Sequence, residues 1–228
     1  MKSEPSAFWN KKILTWEKDK YFTKPMSLIN FDVNSSVKTR LELARSILKE
    51  IAPSLTVLEL GCGSALLMND IIAFGANKYI AIDISPVAIE AAKQKALNSD
   101  IISKVELLTN NIKDIAPIKV DVCFSLGLFD WLDLKDINFL HKQIDAKYYF
   151  HSFSEKKTFS PQQIFHKIYV YLMYGYKNNQ NTPKYFTENE LRMALDNKMP
   201  ARLKFFRHSK LSFGTLVYDL PKSIEKLK

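Results

Sequence analysis

The sequence predicts an α/β fold in which a mainly parallel sheet carries helices on both faces. Short apolar segments alternate with longer amphipathic segments from residue 54 to residue 153, which is the pattern of repeated strand–helix units. The segment 120–126 is almost wholly apolar, as expected for a strand that is covered on both faces. A chain of 228 residues is long enough for one such domain with an additional cap.

The alternation predicts five strands and four helices up to residue 153. The predicted strands are 55–60, 79–84, 104–108, 120–126 and 147–153. The predicted helices are 37–51, 64–74, one that begins at residue 86, and 134–142. Gly75 suits the C-terminus of a helix, and Ser85 followed by Pro86 suits an N-cap and a first helical position.

The pattern changes after residue 153. Ser160 and Pro161 begin a predicted helix that continues to about residue 174, and an Asn-rich loop follows at 178–181. A further helix is predicted at 187–197, where Thr187 and Glu190 have the spacing of a capping box. Two closing strands, 201–208 and 212–218, are predicted to form an antiparallel hairpin. Three parts result, which are an N-terminal helical prelude or lid (1–53), a main domain (54–228) and an aromatic insert within it (159–186).

Charge is distributed unevenly along the chain. The net charge is +9 overall, whereas residues 54–150 alone have a net charge of −3. The basic flanks can attract an anionic acceptor or a nucleic acid, although a lysine-rich solvated surface is the simpler interpretation. Only five of the 33 basic residues are Arg, which disfavours bidentate recognition of phosphates and bases.

Composition excludes several other classes of protein. No apolar run approaches the roughly 18 residues that span a bilayer, and the N-terminal segment lacks the apolar core of a secretory signal. The two cysteines, Cys62 and Cys123, do not form a disulfide framework, so we expect a reducing, cytoplasmic environment. No Cys/His cluster has the spacing of metal ligands, and we expect no metal.

The segment 57–66 joins a predicted strand to a predicted helix through Gly61 and Gly63. Glycines at such a turn let the backbone approach a ligand without an intervening Cβ, and the start of the helix leaves N–H donors free. A dinucleotide site expects a third glycine where Leu66 stands. This departure disfavours NAD and FAD.

Polar residues follow or end three predicted strands near this turn. Glu59, two residues before Gly61, has a carboxylate that can meet an ammonium group. Asp83 ends the second strand, where a carboxylate can accept hydrogen bonds from both hydroxyls of a ribose. Asn110 and Asn111 follow the third strand, where an amide can face an adenine edge. A ligand with an amino acid at one end and adenosine at the other satisfies all three positions.

The sequence resembles the class I S-adenosylmethionine-dependent methyltransferases over roughly residues 36–220. The motifs that carry the resemblance are E-L-G-C-G-S-A at 59–65, I-A-I-D-I-S at 80–85, T-N-N-I at 109–112 and V-D-V-C-F-S-L-G-L-F-D at 120–130. The resemblance implies a Rossmann-like sheet of seven strands in the order 3-2-1-4-5-7-6, with the last-formed strand antiparallel. It also implies helices on both faces, a helical cap over 159–186, and S-adenosyl-L-methionine (SAM) as the cofactor, with S-adenosyl-L-homocysteine (SAH) as its product.

The same resemblance implies a set of cofactor-binding residues. They are Glu59, Gly61, Cys62, Gly63, Asp83, Ile84, Asn111, Ile112, Ser125 and Leu126. Glu59, Gly61, Cys62 and Gly63 are expected to line the methionine end, and Asp83 is expected to hold the ribose hydroxyls. Ile84, Asn111 and Ile112 are expected to lie beside adenine, and Ser125 and Leu126 are expected to border the sulfonium. Two positions depart from the family, because Asn111 stands where Asp is common and Ala65 replaces a third glycine.

Methyl transfer from a sulfonium requires an acceptor in line with the S–C bond and the exclusion of water. A general base helps when the acceptor is a hydroxyl or a protonated amine. The candidate catalytic residues are Asp130, in the loop after the fourth strand, and His151, at the end of the fifth. Purely structural roles for both are the simpler interpretations, and His166 and His208 are weaker candidates.

The leading hypothesis is methyl transfer to a small-molecule acceptor, first to a hydroxyl oxygen and next to nitrogen. Aromatic residues of the insert 159–186 and of the N-terminal prelude are predicted to line the acceptor pocket. One alternative is methylation of RNA or protein, which the basic flanks suggest. Nucleic acid is disfavoured because the Asn/Asp-Pro-Pro-Tyr motif of nucleobase methylation is absent after the fourth strand. The other alternative is a non-catalytic binding module with the same fold.

Overall fold

A computed structural model of the protein describes residues 5–22, 33–174, 182–195, 203–222 and 224. Seven strands form one sheet in the order β3-β2-β1-β4-β5-β7-β6. The strands are β1 (Thr56–Leu60), β2 (Lys78–Asp83), β3 (Val105–Thr109), β4 (Ile118–Leu126), β5 (Ile144–Ser154), β6 (Lys204–Arg207) and β7 (Gly214–Asp219). The α-helices are α1 (Pro5–Glu17), α2 (Val33–Ile51), α3 (Met68–Ala73), α4 (Pro86–Asn98), α5 (Leu134–Gln143), α6 (Pro161–Tyr174) and α7 (Glu188–Leu195).

The strand pairing confirms the predicted fold class and sheet order. β1 pairs in parallel with both β2 and β4, β2 pairs in parallel with β3, and β4 pairs in parallel with β5. β7 is antiparallel to both of its neighbours, β5 and β6. The carboxyl ends of β1 to β5 therefore meet at one edge of the sheet, where open α/β sheets bind their ligands.

Both faces of the sheet are buried, which explains the apolar strands. Val57 contributes to a core formed with α2, α3 and α4, whereas its neighbour Leu58 contributes to a second core formed with α5 and α7. The rings of Phe124 and Phe150 stack in the first core at a centroid distance of 4.9 Å. The alternation of side chains along each strand thus supplies apolar groups to both layers.

One predicted helix begins later than its sequence suggests. The segment after the glycine turn was expected to be helical from residue 64, but α3 begins at Met68. Gly63 and Ala65 have positive φ values of 54° and 53°, which are incompatible with a right-handed helix. Ala65 adopts the conformation that a glycine would adopt without strain, consistent with its replacing a family glycine.

Most other predicted elements are confirmed to within a few residues. The Ser85 hydroxyl accepts a hydrogen bond from the Ala88 N–H at 3.2 Å, as an N-cap should. Thr187 and Glu190 form the reciprocal hydrogen bonds of a capping box. The predicted loop 178–181 and the ends of two predicted elements, 196–197 and 201–202, lie outside the described residues. None of the helices within the described ranges is long and apolar enough to cross a membrane.

Glu155 follows β5 and connects the C-terminal elements. Its carboxylate accepts hydrogen bonds from Arg207 at 2.8 and 2.7 Å, from Lys157 at 2.6 Å and from Thr215 at 2.9 Å. Arg207 also donates to Glu188 of α7 at 2.8 Å. Burial alone would raise the pKa of Glu155, but these hydrogen bonds, chiefly that from Arg207, outweigh it and lower the pKa to about 2.

We expect Glu155→Gln to lower the free energy of unfolding at pH 7 by about 2 kcal/mol, allowing for solvent screening at the half-exposed Arg207. A carboxyl group whose pKa is lower in the folded state than its unfolded value of about 4.3 stabilises the protein above that pH. The contribution is lost as the pH falls toward the folded pKa of about 2. Chemical denaturation should therefore show a smaller difference between wild type and variant at pH 3 than at pH 7.

A matched control removes a solvent-exposed ion pair at the other edge of the sheet. Glu106→Gln breaks the pair with Lys78 and should change the free energy of unfolding by less than about 0.5 kcal/mol. An equal effect of Glu155→Gln at both pH values would contradict the assigned role of the ion pair.

Candidate functional site

The turn after β1 lies at the centre of the edge where the parallel strands end. Gly61 and Gly63 both have positive φ, at 63° and 54°, and the Gly61 N–H donates to the Ile82 carbonyl at 2.8 Å. A Cβ at Gly61 would lie 3.0 Å from the Leu128 side chain, which follows β4. Glycine is therefore required both by the backbone conformation and by the close packing of the two loops.

Asp83 at the end of β2 holds this turn in place. One carboxylate oxygen accepts the Gly63 N–H at 2.8 Å, and the other accepts the Ser85 N–H at 2.8 Å. Burial raises the pKa of Asp83, while the backbone hydrogen bonds from Ser85 and Gly63 oppose that shift. The Ile84 N–H is a third backbone donor to the carboxylate, so most of its roughly four acceptor positions face the backbone of the two loops.

Glu59 is buried beneath the turn and has a partner in the neighbouring strand. The Tyr79 hydroxyl donates to its carboxylate. Burial raises the pKa of Glu59 to about 8, although the hydrogen bond from Tyr79 lowers it in part. Glu59 is therefore largely protonated at neutral pH in this arrangement, and a nearby cation would favour its ionised form.

Cys62 is a buried part of the turn. Its thiol donates to the Gly63 carbonyl at 3.3 Å, and burial raises the pKa of the thiol well above the ordinary value. The thiol therefore remains protonated, which is consistent with a small turn residue and not with a nucleophile.

Lys95 of α4 also contacts this turn. Its ammonium group donates hydrogen bonds to the carbonyls of Ser64 and Ala65 at 2.6 and 3.3 Å.

The ends of β2 and β3 supply the remaining predicted cofactor-side residues. Asn111 caps a short 3-10 helix, and its side-chain oxygen accepts the Lys113 N–H at 3.1 Å. Ile112 is buried, and Ile84 is half-buried beside the start of α4. These residues lie at the same strand edge as Asp83, and their predicted roles beside adenine stay predictions.

Helix α1 lies across this edge of the sheet. The Ser6 hydroxyl donates to the Ile84 carbonyl at 3.2 Å, and the Ser85 hydroxyl donates to Asn10 at 2.7 Å. The ring of Trp9 contacts that of Trp131, after β4, edge-on at a centroid distance of 4.8 Å. The helix thus contacts the loops after β2 and β4, and its role as a lid stays a prediction.

The last residue of α1, Glu17, reaches the glycine turn itself. Its Oε1 accepts the Ser64 N–H at 2.9 Å, and a Cβ on Gly63 would collide with the same oxygen. Ile13, one helical turn earlier, packs against the same face of Gly63. The closest approach to the turn by any described lid residue is therefore made by a carboxylate.

The first candidate catalytic residue, Asp130, is buried and accepts several hydrogen bonds. Its carboxylate accepts the Ser154 N–H at 2.6 Å and the Ser154 hydroxyl at 2.9 Å, and its carbonyl accepts the Lys184 N–H at 2.6 Å. Burial raises the pKa of Asp130 to about 6, although the charge of Arg40 and the Ser154 hydrogen bonds oppose the shift. Asp130 thus connects the loop after β4 to the end of β5, and a catalytic role stays a prediction.

The second candidate, His151, is buried between the sheet and the loop after β4. Its Nδ1 lies 2.9 Å from the Ser125 hydroxyl on the adjacent strand, and its ring stacks on Phe129 at 4.6 Å. Burial lowers the pKa of His151 to about 3, so the imidazole is neutral at physiological pH. Its catalytic role also stays a prediction, as do the cofactor-side roles of Ser125 and of its half-buried neighbour Leu126.

A polar and aromatic group lies on the other side of the loop after β4. His166 Nδ1 and the Tyr185 hydroxyl are 2.7 Å apart, and Phe213 packs against both rings at centroid distances of 5.0 and 6.0 Å. The guanidinium of Arg40 lies 3.4 Å from the position that a Cβ on Gly127 would occupy. We call His166, Tyr185, Phe213 and Arg40 the acceptor-side cluster.

Electrostatics keep the histidine of this cluster neutral. Burial lowers the pKa of His166 to about 4, and the positive charges of Lys20 and Arg40 add to that effect. Burial also raises the pKa of Tyr185, with a contribution from the negative charge of Asp130. His166 is therefore a neutral imidazole within hydrogen-bond distance of a neutral phenol, and burial makes it a weaker base than an exposed histidine.

Comparison with known proteins points to methyltransferases. A family model for a methyltransferase domain matches residues 57–148. The ribosomal protein L11 methyltransferase of Alkaliphilus metalliredigens is 30% identical over 109 residues, which are 46% of this chain and 34% of that protein. The L11 methyltransferase of Thermosipho africanus is 33% identical over 99 residues, 38% of this chain and 37% of that protein. Residues 57–148 therefore match a methyltransferase domain, and the order of the seven strands and the fold are shared with solved class I methyltransferases.

The matched part of these L11 methyltransferases is about a third of their own length. Solved structures share the fold over most of this chain. Magnesium protoporphyrin IX methyltransferase from Synechocystis with bound SAH has a TM-score of 0.68 at 16% identity, covering 95% of this chain and 98% of that one. The mitomycin 7-O-methyltransferase has a TM-score of 0.57 at 11% identity, covering 96% and 69%.

Several residues near the site were not predicted from the sequence, among them Glu17, Tyr79 and Arg40. Glu17 falls four residues after the buried Ile13, so the acid extends the buried face of α1, which is a usable sequence signal. Tyr79 and Arg40 give no such signal, because their positions depend on strand order and on the packing of α2. Among the described residues, no group of three or more His, Cys, Asp or Glu side chains is arranged to hold a metal ion.

We expect Asp83→Asn to weaken SAH binding by about 10- to 100-fold, the usual loss for a buried hydrogen-bonding carboxylate. The amide group replaces one acceptor with a donor and faces the N–H donors of Gly63 and Ser85. Isothermal titration calorimetry with SAH measures the change, and a melting curve without ligand measures any loss of stability.

The control for this substitution is Asp114→Asn, which alters an exposed aspartate on the 3-10 helix after β3. Its SAH affinity should equal that of the wild type. Full SAH affinity in Asp83→Asn would rule out Asp83 as a cofactor-binding residue.

Proposed function

We propose that this chain transfers a methyl group from SAM to a small-molecule acceptor, at a hydroxyl oxygen. The observation that carries the proposal is the enclosure of the strand edge. Helix α1 covers it on one side, and the aromatic acceptor-side cluster lies on the other. An enclosed, partly aromatic site excludes water and suits a small acceptor better than a flat macromolecular surface.

The residues at the glycine turn fit SAM. The positive φ of Gly61 and Gly63 forms a tight turn at the end of β1, and the Asp83 carboxylate at the end of β2 lies beside that turn, where it can accept a hydrogen bond from a ribose hydroxyl. Buried carboxyl groups of Glu59 and Glu17 near the turn suit a ligand with positive charge. SAM-dependent methyltransferases are also what the family match and the folds of SAH-bound relatives suggest.

When bound, SAM supplies an electrophilic methyl group on sulfur, and the residues of this chain orient and deprotonate the acceptor. The S–CH₃ bond breaks as the O–CH₃ bond forms, and the hydroxyl proton leaves to a base. We assign the base to His166, whose imidazole is neutral at physiological pH and whose orientation is held by Tyr185. Asp130 positions this side of the site through Ser154 and the backbone of Lys184.

A protein acceptor is the second candidate. Two of the relatives similar in sequence methylate, by name, ribosomal protein L11. Their likeness extends over less than half of this chain, and the methyltransferase-domain match at 57–148 includes the glycine turn and Asp83. It therefore supports a shared cofactor and gives weaker support to a shared acceptor.

The proposal predicts which fraction of a cell extract accepts methyl groups. With SAM labelled in its methyl group, we expect incorporation into the low-molecular-weight fraction and little into protein or RNA. His166→Asn should lower the initial rate at least tenfold, as loss of a general base does, while SAH affinity stays unchanged.

The control for His166→Asn is His208→Asn, which alters an exposed histidine after β6 and should leave the rate unchanged. Label found mainly in ribosomal protein would support the second candidate in place of the first. No transfer to any fraction, together with normal SAH binding, would favour a non-catalytic module and contradict the proposal.

A further inference from the structure

The carboxylate of Glu17 occupies an unusual position for a charged group. It is contributed by the lid helix, yet it lies directly on the glycine turn, where it accepts the Ser64 N–H at 2.9 Å. Only 6% of the residue is exposed to solvent. A carboxylate removed from water in this way needs a compensating partner, since an uncompensated buried charge is strongly unfavourable.

Among the described residues, Glu17 has little positive charge around its carboxylate. Within the described part of the chain, no lysine or arginine nitrogen lies within 4.0 Å of its carboxylate oxygens. Lys95 is the lysine that acts on it electrostatically, but the Lys95 ammonium is bound to the Ser64 and Ala65 carbonyls. Asp83 adds negative charge nearby, and burial raises the pKa of Glu17.

We propose that Glu17 is a cofactor-binding residue that receives the α-ammonium group of the methionine moiety of SAM when α1 lies over the site. This inference rests on the proposed function, and it assigns the missing positive charge to the ligand. Glu59 was the predicted partner of that ammonium, but its carboxylate lies beneath the turn, against the Tyr79 hydroxyl of β2. Within the described part of the chain, Glu17 accepts hydrogen bonds from Ser64 alone, and its Oε1 lies against Gly63 at the place where a Cβ would stand.

The position of Glu17 couples cofactor binding to closure of the lid. Other contacts of α1 with the strand edge include two hydrogen bonds, which involve Ser6 and Ser85, and the ring contacts of Phe8 and Trp9 with Trp131. None of these involves an opposite charge. An ammonium bound by Glu17 therefore gives the closed lid an attractive interaction that exists only while the ligand is present.

Calorimetric titration of the full chain with two ligands tests the inference. The ligands are SAH and a deaminated analogue in which hydrogen replaces the α-amino group. The wild type should bind the analogue at least tenfold more weakly than SAH, the expected loss for a buried charge-assisted hydrogen bond. Glu17→Gln should bind SAH at least tenfold more weakly than the wild type and should distinguish the two ligands by no more than about twofold.

The control is Glu50→Gln, an exposed glutamate of α2, which should behave as the wild type with both ligands. If Glu17→Gln binds SAH as tightly as the wild type, or more tightly, the inference is overturned. The Glu17 carboxylate would then compete with the ligand for the glycine turn. A full deamination penalty in Glu17→Gln would overturn the inference as well. Both outcomes leave the proposed function intact, whereas no SAH binding by the wild type would overturn the proposed function itself.

Discussion

The carboxylate of Asp83 is the group on which the arrangement of the site depends. Its two short hydrogen bonds to backbone N–H groups join the turn after β1 to the loop after β2. The second of these loops begins α4 through the Ser85 cap, and the Ser85 hydroxyl also contacts Asn10 of the lid. A single buried anion thus fixes the glycine turn, the start of a helix and one anchor of α1, and a site of positive-φ backbone needs such external support.

The cofactor side and the acceptor side come from different parts of the chain. Residues 57–148, which match the methyltransferase domain, supply the glycine turn, Asp83 and the end of β4. The acceptor-side cluster comes from Arg40 and from His166, Tyr185 and Phe213, which lie outside the match. This division explains physically why relatives with different acceptors can share the turn. On the proposed function, the turn would hold the same cofactor in each relative, whereas the residues proposed to line the acceptor would be free to vary.

The fold could be predicted because the local sequence signals for strands, turns and helix caps agree with the arrangement of the whole sheet. The apolar β4, the Ser85 and Thr187 caps and the Gly61 turn each have a physical meaning that does not depend on distant residues. The late start of α3 was missed because the positive φ of Ala65, a non-glycine residue, has no signature in the sequence. Glu17 was missed for a different reason. Its role depends on where α1 docks, and the amphipathic pattern of a helix does not specify its partner.

The central claim is that SAM binds at the glycine turn of this chain. Backbone amide shifts in ¹H–¹⁵N NMR spectra during titration with SAH test it most directly, because they report the site residue by residue. The largest shift changes should occur at Gly61, Gly63, Ser64, Asp83 and Asn111, with smaller changes along α1. Saturable changes confined to other surfaces, or none at millimolar SAH, would contradict the claim.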